Sequence, residues 1–450
     1  MMSVSIAERY DLRIPRYTSY PTAPHFTPAV DGEMYRRWLG ALDPESVLSL
    51  YFHIPFCDSM CWFCGCYTKI VNRYDPVRSY LATLHDEIDL VAAALPGTLA
   101  VSHLHWGGGS PTILKPDDWL AVLDHLRARF ALAGDAEVAV ELDPRDTTED
   151  YVAALAAAGV TRVSIGVQDF HADVQAAINR NQPFEIVERV CSWLRGCGIE
   201  DINLDLMYGL PRQNVSRVVA MIDLAHRLQP SRLALFGYAH VPWMKSHQRM
   251  IDEAELPGAA ERWRQFAAAA ERLQALGYQA IGLDHFARSD DALAQAQRRG
   301  RLRRNFQGYT TDTAAVLLGL GASAIGSLPQ GYVQNVAPLK DYAEAVAAGR
   351  LPVVRGVMLN ADDRLRADII ERLMCDLWVD LGALCEKHAA EVAALADCLE
   401  RLEPLAADGL VVIDGERVSM TEQGRPLVRL AAAAFDAYLE RGEKKHSRAV

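Results

Sequence analysis

Short apolar runs alternate with amphipathic helical patterns from Val47 onward, and this alternation limits the possible folds more than any other feature of the chain. Between the runs, apolar residues recur at i, i+3, i+4 and i+7, as in RSYLATLHDEIDLVAAAL. Strands that alternate with helices form parallel sheets built from βα units. Strands are predicted at Val47–Ile54, Ala100–Trp106, Glu137–Leu142, Arg162–Val167, Ile202–Gly209 and Arg232–Ala239. We therefore predict an α/β fold, an open and partial β/α barrel of about six units.

The chain has 450 residues, too many for one small core. Four segments are predicted: an N-terminal arm at 1–46, the barrel at 47–285, a barrel-completing segment at 286–356, and a mainly helical C-terminal domain at 357–450. In the third segment, a helix is expected at 311–320. In the fourth, helical patterns precede a hairpin that turns at Asp414-Gly415, which resembles a winged helix. Such a module either binds DNA or serves as a packing or lid element, and the acidic chain favours the second interpretation.

Lys and Arg number 46 against 58 Asp and Glu, so the net charge is −12 and a nucleic-acid partner is not expected. No apolar run reaches the ~18 residues that span a bilayer, and the start carries no signal-peptide core, so we expect no membrane partner and a cytoplasmic location. Five scattered cysteines are predicted to be reduced core thiols rather than disulfides. They are Cys191, Cys197, Cys375, Cys385 and Cys398.

Four more cysteines lie close together in CDSMCWFCGC, at positions 57, 61, 64 and 66. The C-x3-C-x2-C spacing suits three thiolate ligands of an iron-sulfur cube whose fourth iron has no protein ligand. Structural zinc is the alternative, but a closed zinc site needs a second C-x2-C or a His pair downstream. Neither follows at such spacing, so the pattern favours the cluster.

Polar residues and glycines recur where the predicted strands end. Any one of them alone would be read as a solvated strand end or an ordinary turn. Because the carboxyl ends of parallel strands form the rim that builds active sites in β/α barrels, their joint occurrence predicts a single site. The residues are Tyr51 with the cysteines, Gly107 to Ser110, Glu141, Gln168, Asp205 and Tyr238.

The stretch YFHIPFCDSMCWFCGC resembles the cluster loop of radical S-adenosylmethionine (SAM) enzymes. PRYTSYPTAPHF at Pro15–Phe26, HWGGGSPT at His105–Thr112 and RNFQGYTT at Arg304–Thr311 are similar, more narrowly, to the oxygen-independent coproporphyrinogen III oxidases. This resemblance covers nearly the whole chain. It implies conversion of two propionates of coproporphyrinogen III to vinyl groups, which gives protoporphyrinogen IX in haem biosynthesis. A 5′-deoxyadenosyl radical made at a [4Fe-4S] cluster would start each decarboxylation.

The resemblance also implies roles for individual residues. Cys57, Cys61 and Cys64 match the cluster ligands, and Cys66 matches an extra family cysteine that does not ligate and is expected to serve catalysis. Ser110 stands where the family often has Thr, and the hydroxyl is kept. The family holds two SAM molecules, and its SAM contacts match Tyr51, Phe63, Gly108, Gly109, Ser110, Glu141, Gln168, Arg180, Asp205, Ala239 and Ile325.

Substrate and partners follow from the same resemblance. Arg16 and the pair Arg303-Arg304 are candidates for binding the propionates, although the basic run at 298–307 equally suits a solvated loop. The arm is expected to be ordered and to close the open barrel mouth. We also expect a reduced flavodoxin- or ferredoxin-type electron donor and a monomer.

Two other functions remain open at this point. A haem-binding chaperone, a relative with the same three cysteines, lacks the fourth cysteine and the PRYTSYPTA arm that are present in this chain. A zinc-stabilised winged-helix regulator is disfavoured by the negative charge and by the residues at the strand ends.

Overall fold

The computed structural model describes residues 9–439. Its strands in chain order are β1 (Val47–Ile54), β2 (Phe56–Cys57), β3 (Lys69–Ile70), β4 (Ala100–Gly108), β5 (Ala131–Leu142), β6 (Arg162–Gln168), β7 (Asp201–Tyr208), β8 (Arg232–Gly237), β9 (Gln279–Ile281), β10 (His285–Ala287), β11 (Arg303–Asn305), β12 (Gly308–Thr310), β13 (Val316–Leu320), β14 (Ile325–Leu328), β15 (Gly331–Asn335), β16 (Val353–Met358), β17 (Trp378–Asp380), β18 (Val411–Asp414) and β19 (Arg417–Met420). The α-helices are α1 (Gly32–Gly40), α2 (Asp75–Ala94), α3 (Pro116–Arg127), α4 (Glu149–Ala157), α5 (Ala172–Ala177), α6 (Phe184–Gly196), α7 (Val215–Arg227), α8 (Ala259–Ala275), α9 (Ala292–Arg298), α10 (Leu339–Ala347), α11 (Ala361–Asp376), α12 (Leu381–Lys387), α13 (Ala396–Ala407) and α14 (Val428–Ala434).

One 12-stranded sheet forms the barrel, in the order β16-β15-β14-β13-β1-β4-β5-β6-β7-β8-β10-β9. The run from β13 to β8 is parallel throughout, and the six strands predicted from the sequence all lie in it. The flanking strands are antiparallel. Because β16 and β9 end the sheet without pairing to each other, the barrel is open, as predicted.

The expected helix at 311–320 is wrong. Val316–Leu320 is strand β13, which is buried along its whole length and pairs in parallel with β1. A five-residue apolar run such as VLLGL does not distinguish a strand from a buried helical turn by periodicity. The strand assignment depends on β1, which lies far away in the sequence.

The two faces of the parallel strands differ in chemistry. In β6, Val163, Ile165 and Val167 are buried, whereas the residues that alternate with them are half-buried and face the barrel interior. On the outer face the rings of Phe52 and Trp106 stack with centroids 4.4 Å apart. The apolar outer face packs under helices, so the inner face can carry the polar side chains of a site.

The C-terminal domain combines α11 to α14 with the three-stranded sheet β17-β19-β18. Its core includes aromatic and aliphatic residues of the arm, among them Tyr10, Ile14, Tyr17 and Tyr20. Further along the arm, Phe26 stacks on Tyr332 of β15 at 5.9 Å. The arm therefore connects the C-terminal domain with the edge of the barrel sheet.

Four of the five scattered cysteines are buried as predicted, and none of the nine cysteines forms a disulfide. The prediction is wrong for Cys197, which is exposed because it follows the last turn of α6. Across residues 9–439, every helix is too short or too polar to cross a membrane.

Candidate active site

The cysteine loop leaves β2 at the carboxyl end of the barrel. Three of its four sulfur atoms accept a hydrogen bond: Cys57 Sγ from Thr68 Oγ1 (3.2 Å), Cys61 Sγ from Arg180 Nη1 (3.5 Å) and Cys64 Sγ from the Cys66 N–H (3.4 Å). Donors of this kind stabilise thiolate charge, which suits metal or cluster ligands. Within residues 9–439, no three His, Cys, Asp or Glu side chains are close enough to hold a single metal ion.

The pKa values of these thiols differ. Burial raises the pKa of Cys57 to about 12 when no metal is bound. The interaction with Cys66 lowers the pKa of Cys64 and raises that of Cys66, so the proton that the pair shares resides on Cys66. Cys66 is also the one exposed thiol of the loop.

Contacts to the backbone fix the shape of the loop. Two segments from elsewhere in the barrel supply them, one after α5 and one after β8. The contacts are Asn179 Nδ2 to Met60 O (2.8 Å), Trp62 N to Ile178 O (2.9 Å), Gln248 Nε2 to Phe63 O (3.0 Å), His247 Nε2 to Cys64 O (2.7 Å) and Lys245 Nζ to Cys66 O (3.1 Å). These partners could not be predicted from the sequence, since each lies more than a hundred residues from the loop.

Next to the loop is a cavity with about 770 Å³ of empty space, part of it open to solvent. The four clustered cysteines line it. So do most of the residues predicted to bind SAM, namely Phe63, Gly108, Gly109, Ser110, Glu141, Gln168, Arg180 and Asp205. The strand ends therefore bring the cysteines and the polar side chains together, as predicted for the carboxyl ends of parallel strands in a β/α barrel.

A buried ion network supports the loop from below. Arg180 is 6% exposed, and its guanidinium donates to Asp143 Oδ2 (3.0 Å) and to Gly166 O (2.6 Å) as well as to Cys61. Arg145 Nη2 donates to the same carboxylate at 2.6 Å. Burial acts to raise the pKa of Asp143, but the two arginines outweigh it and the pKa is lowered. Sequence reasoning missed Asp143 and Arg145, although both lie within four residues of Glu141, just past the end of β5.

Glu141 projects into the cavity with a 40% exposed side chain. It accepts hydrogen bonds from His105 Nε2 (3.2 Å) and the Gly108 N–H (3.2 Å). Burial acts to raise its pKa, but these donors outweigh it and the pKa is lowered. An ionised carboxylate at this position can accept hydrogen bonds from an ammonium group or a ribose hydroxyl. His105 was not predicted, although it belongs to HWGGGSPT.

The glycine triplet is required by close packing. Gly108 has a φ of +115°, and a Cβ there would lie 2.7 Å from the His53 ring. A Cβ on Gly109 would lie 2.5 Å from the Phe56 carbonyl oxygen. The sequence suggested that these glycines let the backbone approach a ligand. In the structure they also let β4 approach the cysteine loop, which any larger residue would prevent.

Asp205 and Gln168 occupy the far side of the cavity. Asp205 accepts from Ser164 Oγ (2.9 Å) and Asn203 Nδ2 (2.7 Å), while burial and the charge of Glu141 raise its pKa to about 6. Gln168 has a φ of +71° at the point where the pairing of β6 with β7 shifts register. Such a bulge redirects a side chain at the end of a strand.

Three of the predicted SAM contacts do not line this cavity. Tyr51 shares a 3.0 Å hydrogen bond with His53 Nδ1 and stacks on His105 at 5.8 Å, so it touches the residues that support Glu141. Ile325 begins β14. Ala239 instead lines a second cavity of about 570 Å³, together with Tyr238 and Arg16.

The second cavity lies between the ends of β7 and β8, the arm and the C-terminal domain. Arg16 Nη2 donates to Gly237 O at 2.9 Å. Other basic side chains at this cavity are Arg262 and Arg429, neither of which was singled out from the sequence. Asp284 is also present, and although burial acts to raise its pKa, His285 and nearby arginines lower it to about 2.

The basic run divides into two parts. Arg298 ends α9 and donates to Gln279 Oε1 (2.9 Å) and Ser289 O (2.8 Å), whereas Arg299 and Arg301 are exposed after the helix, which agrees with a solvated loop. Arg304 is half-buried; it donates to the carbonyls of Arg16 and Tyr17, both at 3.3 Å, and lies 4.4 Å from the Tyr309 ring centroid. Arg303 pairs with Glu371 at 2.9 Å. Arg303 and Arg304 line a third cavity of about 1270 Å³ next to the arm.

Comparisons with known proteins agree with this geometry. A model of the radical SAM superfamily matches residues 51–225, and a model of the HemN C-terminal domain matches residues 359–427. The chain is 50% identical to an oxygen-independent coproporphyrinogen III oxidase of Bradyrhizobium diazoefficiens, over 100% of this chain and 99% of that protein. It is 44% identical to the enzyme of the same name from Paracoccus denitrificans, over 98% and 97% of the two chains. The structure of coproporphyrinogen III oxidase (HemN) from Escherichia coli, described as a radical SAM enzyme, superposes with a TM-score of 0.92 at 38% identity, over 98% of this chain and 99% of that one.

Proposed function

The chain belongs to the oxygen-independent coproporphyrinogen III oxidases of the radical SAM superfamily, and we propose that Cys57, Cys61 and Cys64 hold the [4Fe-4S] cluster of this enzyme. The enzyme decarboxylates two propionates of coproporphyrinogen III without oxygen and leaves vinyl groups, which gives protoporphyrinogen IX. It uses SAM together with the cluster. When bound, the two cofactors supply the 5′-deoxyadenosyl radical that removes a hydrogen atom from the substrate.

One observation carries the ligand assignment. The sulfur atoms of Cys57, Cys61 and Cys64 accept hydrogen bonds from Thr68, Arg180 and the backbone of Cys66, respectively. These bonds suit thiolates and leave Cys66 as an exposed, protonated thiol beside the cavity. Three ligands leave one iron vacant, which is where SAM would bind.

Two SAM molecules are proposed for the cavity and the adjoining strand ends. Glu141 is held ionised by His105 and Gly108, so it suits a ribose hydroxyl or the ammonium group of SAM. Gly108, Gly109 and Ser110 offer backbone close to the cysteine loop. The remaining assigned contacts are Tyr51, Phe63, Gln168, Arg180, Asp205, Ala239 and Ile325.

The substrate carries four propionates, and we propose that Arg16 and Arg304 recognise them from the arm side, with Cys66 on the cluster side. The position of Arg16 at the second cavity supports this proposal. We further propose that the enzyme works in the cytoplasm as a monomer with a reduced flavodoxin- or ferredoxin-type donor. Free thiols throughout the chain fit a reducing compartment, which such a cluster also requires.

An anaerobic assay tests the proposal. Reconstituted protein is supplied with coproporphyrinogen III, SAM and dithionite, and both 5′-deoxyadenosine and oxidised protoporphyrin are quantified. Wild type and Cys191→Ala, which changes a buried core thiol, should form both products. Cys57→Ala, Cys61→Ala and Cys64→Ala should form neither. A wild-type protein that binds haem but does not cleave SAM would favour the chaperone function instead.

A further inference from the structure

We propose that the loop at Trp243–Met250 is the docking surface for the protein that reduces the cluster, a small one-electron carrier with an acidic surface around its redox centre. This inference rests on the proposed function, because only a cluster at Cys57, Cys61 and Cys64 needs the electron. One electron leaves the reduced carrier and enters the oxidised cluster. No bond is made or broken in this step.

Large apolar side chains are exposed on this loop. Trp243 is 48% exposed, Met244 60% and Met250 61%. A single exposed apolar residue needs no explanation, but a tryptophan and two methionines in one short loop form a patch typical of an interface. Methionine side chains also adapt to partners of varied shape.

The same loop contacts the cysteine loop directly. Lys245 Nζ donates to Cys66 O (3.1 Å), His247 Nε2 to Cys64 O (2.7 Å) and Gln248 Nε2 to Phe63 O (3.0 Å). Side chains that face solvent are therefore separated from the proposed cluster ligands by one layer of residues. A carrier bound at the patch would have a short path to the cluster without entering the cavity that substrate and SAM need.

The local charge suits an acidic partner even though the chain as a whole carries −12. Lys245 and Arg249 belong to the loop, and the Arg13 guanidinium lies 4.5 Å from the Trp243 ring centroid. Carboxylates follow at Asp252, Glu253 and Glu255, after the patch. Glu255 pairs with Arg212 and Glu253 contacts His240, whereas Asp252 accepts from the Ala254 N–H and keeps its charge. Arg249 is exposed at the edge of the patch, whereas Lys245 is half-buried and directed at the cysteine loop. An exposed cation next to an apolar patch favours an acidic partner at this position.

Binding is measured first, with purified wild-type protein and flavodoxin by isothermal titration calorimetry. The variants Trp243→Ser with Met244→Ser, and Arg249→Glu, should each weaken binding at least about tenfold. For wild type, the Kd should rise with ionic strength, because exposed charges are screened. Trp378→Ser is the matched control, since Trp378 is 40% exposed and lies 3.9 Å from an arginine, Arg417, on the C-terminal domain. It should leave binding unchanged.

Formation of 5′-deoxyadenosine is then compared with two reductants. With reduced flavodoxin the loop variants should lose about tenfold in rate at subsaturating carrier, whereas with dithionite they should equal wild type. Unchanged flavodoxin binding in both variants would overturn the proposal. An equal loss of rate with dithionite would also overturn it, because the patch would then be needed for substrate binding or for the structure of the loop rather than for carrier binding. If wild type fails to cleave SAM even with dithionite, the proposed function itself fails.

Discussion

Cys66 supports Cys64 with two groups. Its thiol and, to a smaller extent, its backbone N–H (3.4 Å from Cys64 Sγ) lower the pKa of Cys64. The backbone N–H is independent of the side chain, and Cys66 itself is exposed. The residue can therefore support a ligand and still offer its own thiol to the substrate.

Cys66→Ala should accordingly retain the cluster. Iron and sulfide content and the visible absorption should match those of wild type, and the spectrum of the reduced protein should still change when SAM is added, while decarboxylation falls. Cys57→Ala, Cys61→Ala and Cys64→Ala should each lose the visible absorption. A Cys66→Ala protein purified anaerobically without iron and sulfide would contradict the three-ligand assignment.

Arg180→Gln should destabilise the fold, because it removes one partner from a buried ion network. Asp143 keeps Arg145, so the expected loss is about 3 kcal/mol, at the lower end for such changes. Urea unfolding of the metal-free protein measures it. Arg78→Gln breaks an exposed pair with Asp75 and should cost less than about 1 kcal/mol. Equal losses in the two variants would mean that the network contributes no more than a surface pair.

Several elements are joined by Glu87, a carboxylate in α2 that is 1% exposed. It accepts from the Gly321 N–H after β13 (2.7 Å), Asn335 Nδ2 of β15 (2.6 Å) and the Tyr342 hydroxyl of α10 (2.6 Å). Burial raises its pKa to about 7, against an ordinary value of 4.5. The folded protein therefore binds this proton more tightly than the unfolded chain does.

Protonation of Glu87 should stabilise the fold at low pH, and this contribution should disappear as pH rises through about 7. Urea unfolding of wild type and Glu87→Gln at pH 5 and pH 8 tests this. The stability of wild type relative to Glu87→Gln should fall by roughly 2–3 kcal/mol over that range. The exposed Glu33→Gln should show no such difference. Parallel pH dependences for wild type and Glu87→Gln would show that this carboxyl does not titrate with folding.

An element could be predicted from the sequence when its own residues determine its structure, and could not when a distant partner does. β1 and β6 carry enough apolar and β-branched residues in a recognisable run, so their positions followed from the sequence. β13 did not, since its identity comes from pairing with β1. The clustered cysteines were evident from spacing alone. The partners of Glu87 were not, because Asn335 and Tyr342 lie 248 and 255 residues away in sequence.

At the scale of the whole molecule, the arm is a structural part of the C-terminal domain as well as a candidate substrate element. Tyr17 donates to Asp436 Oδ2 at 3.0 Å, and Arg304 binds the arm carbonyls. Sequence reasoning suggested an arm that covers the barrel mouth, but it could not reveal which domain the arm packs against. The division into four segments at 46, 285 and 356 stays a prediction.

Removing the arm through Phe26 should preserve cluster content and SAM cleavage by the barrel, yet abolish decarboxylation. Protease sensitivity of the C-terminal domain should rise, because the apolar core around Tyr10, Ile14 and Tyr20 loses its cover. Normal turnover by the truncated protein would contradict the substrate role.

Arg304→Ala is a milder change, since it removes charge-assisted hydrogen bonds worth about 2 kcal/mol. It should raise the KM for substrate and speed proteolytic cleavage of the arm.

The absence of pairing between β16 and β9 has a consequence for the passage of a bulky macrocycle. A closed barrel would have to break main-chain hydrogen bonds between strands to admit a bulky tetrapyrrole from the side. Here β16 and β9 share no such bonds. The C-terminal domain is held by side-chain packing and a few polar contacts, and the arm adds one main-chain bridge between Thr27 and Gly356 of β16. Separating the C-terminal domain and the arm leaves the pairing of the 12 barrel strands intact. The rate at which substrate enters and product leaves should therefore follow the strength of this domain interface rather than the stability of the barrel.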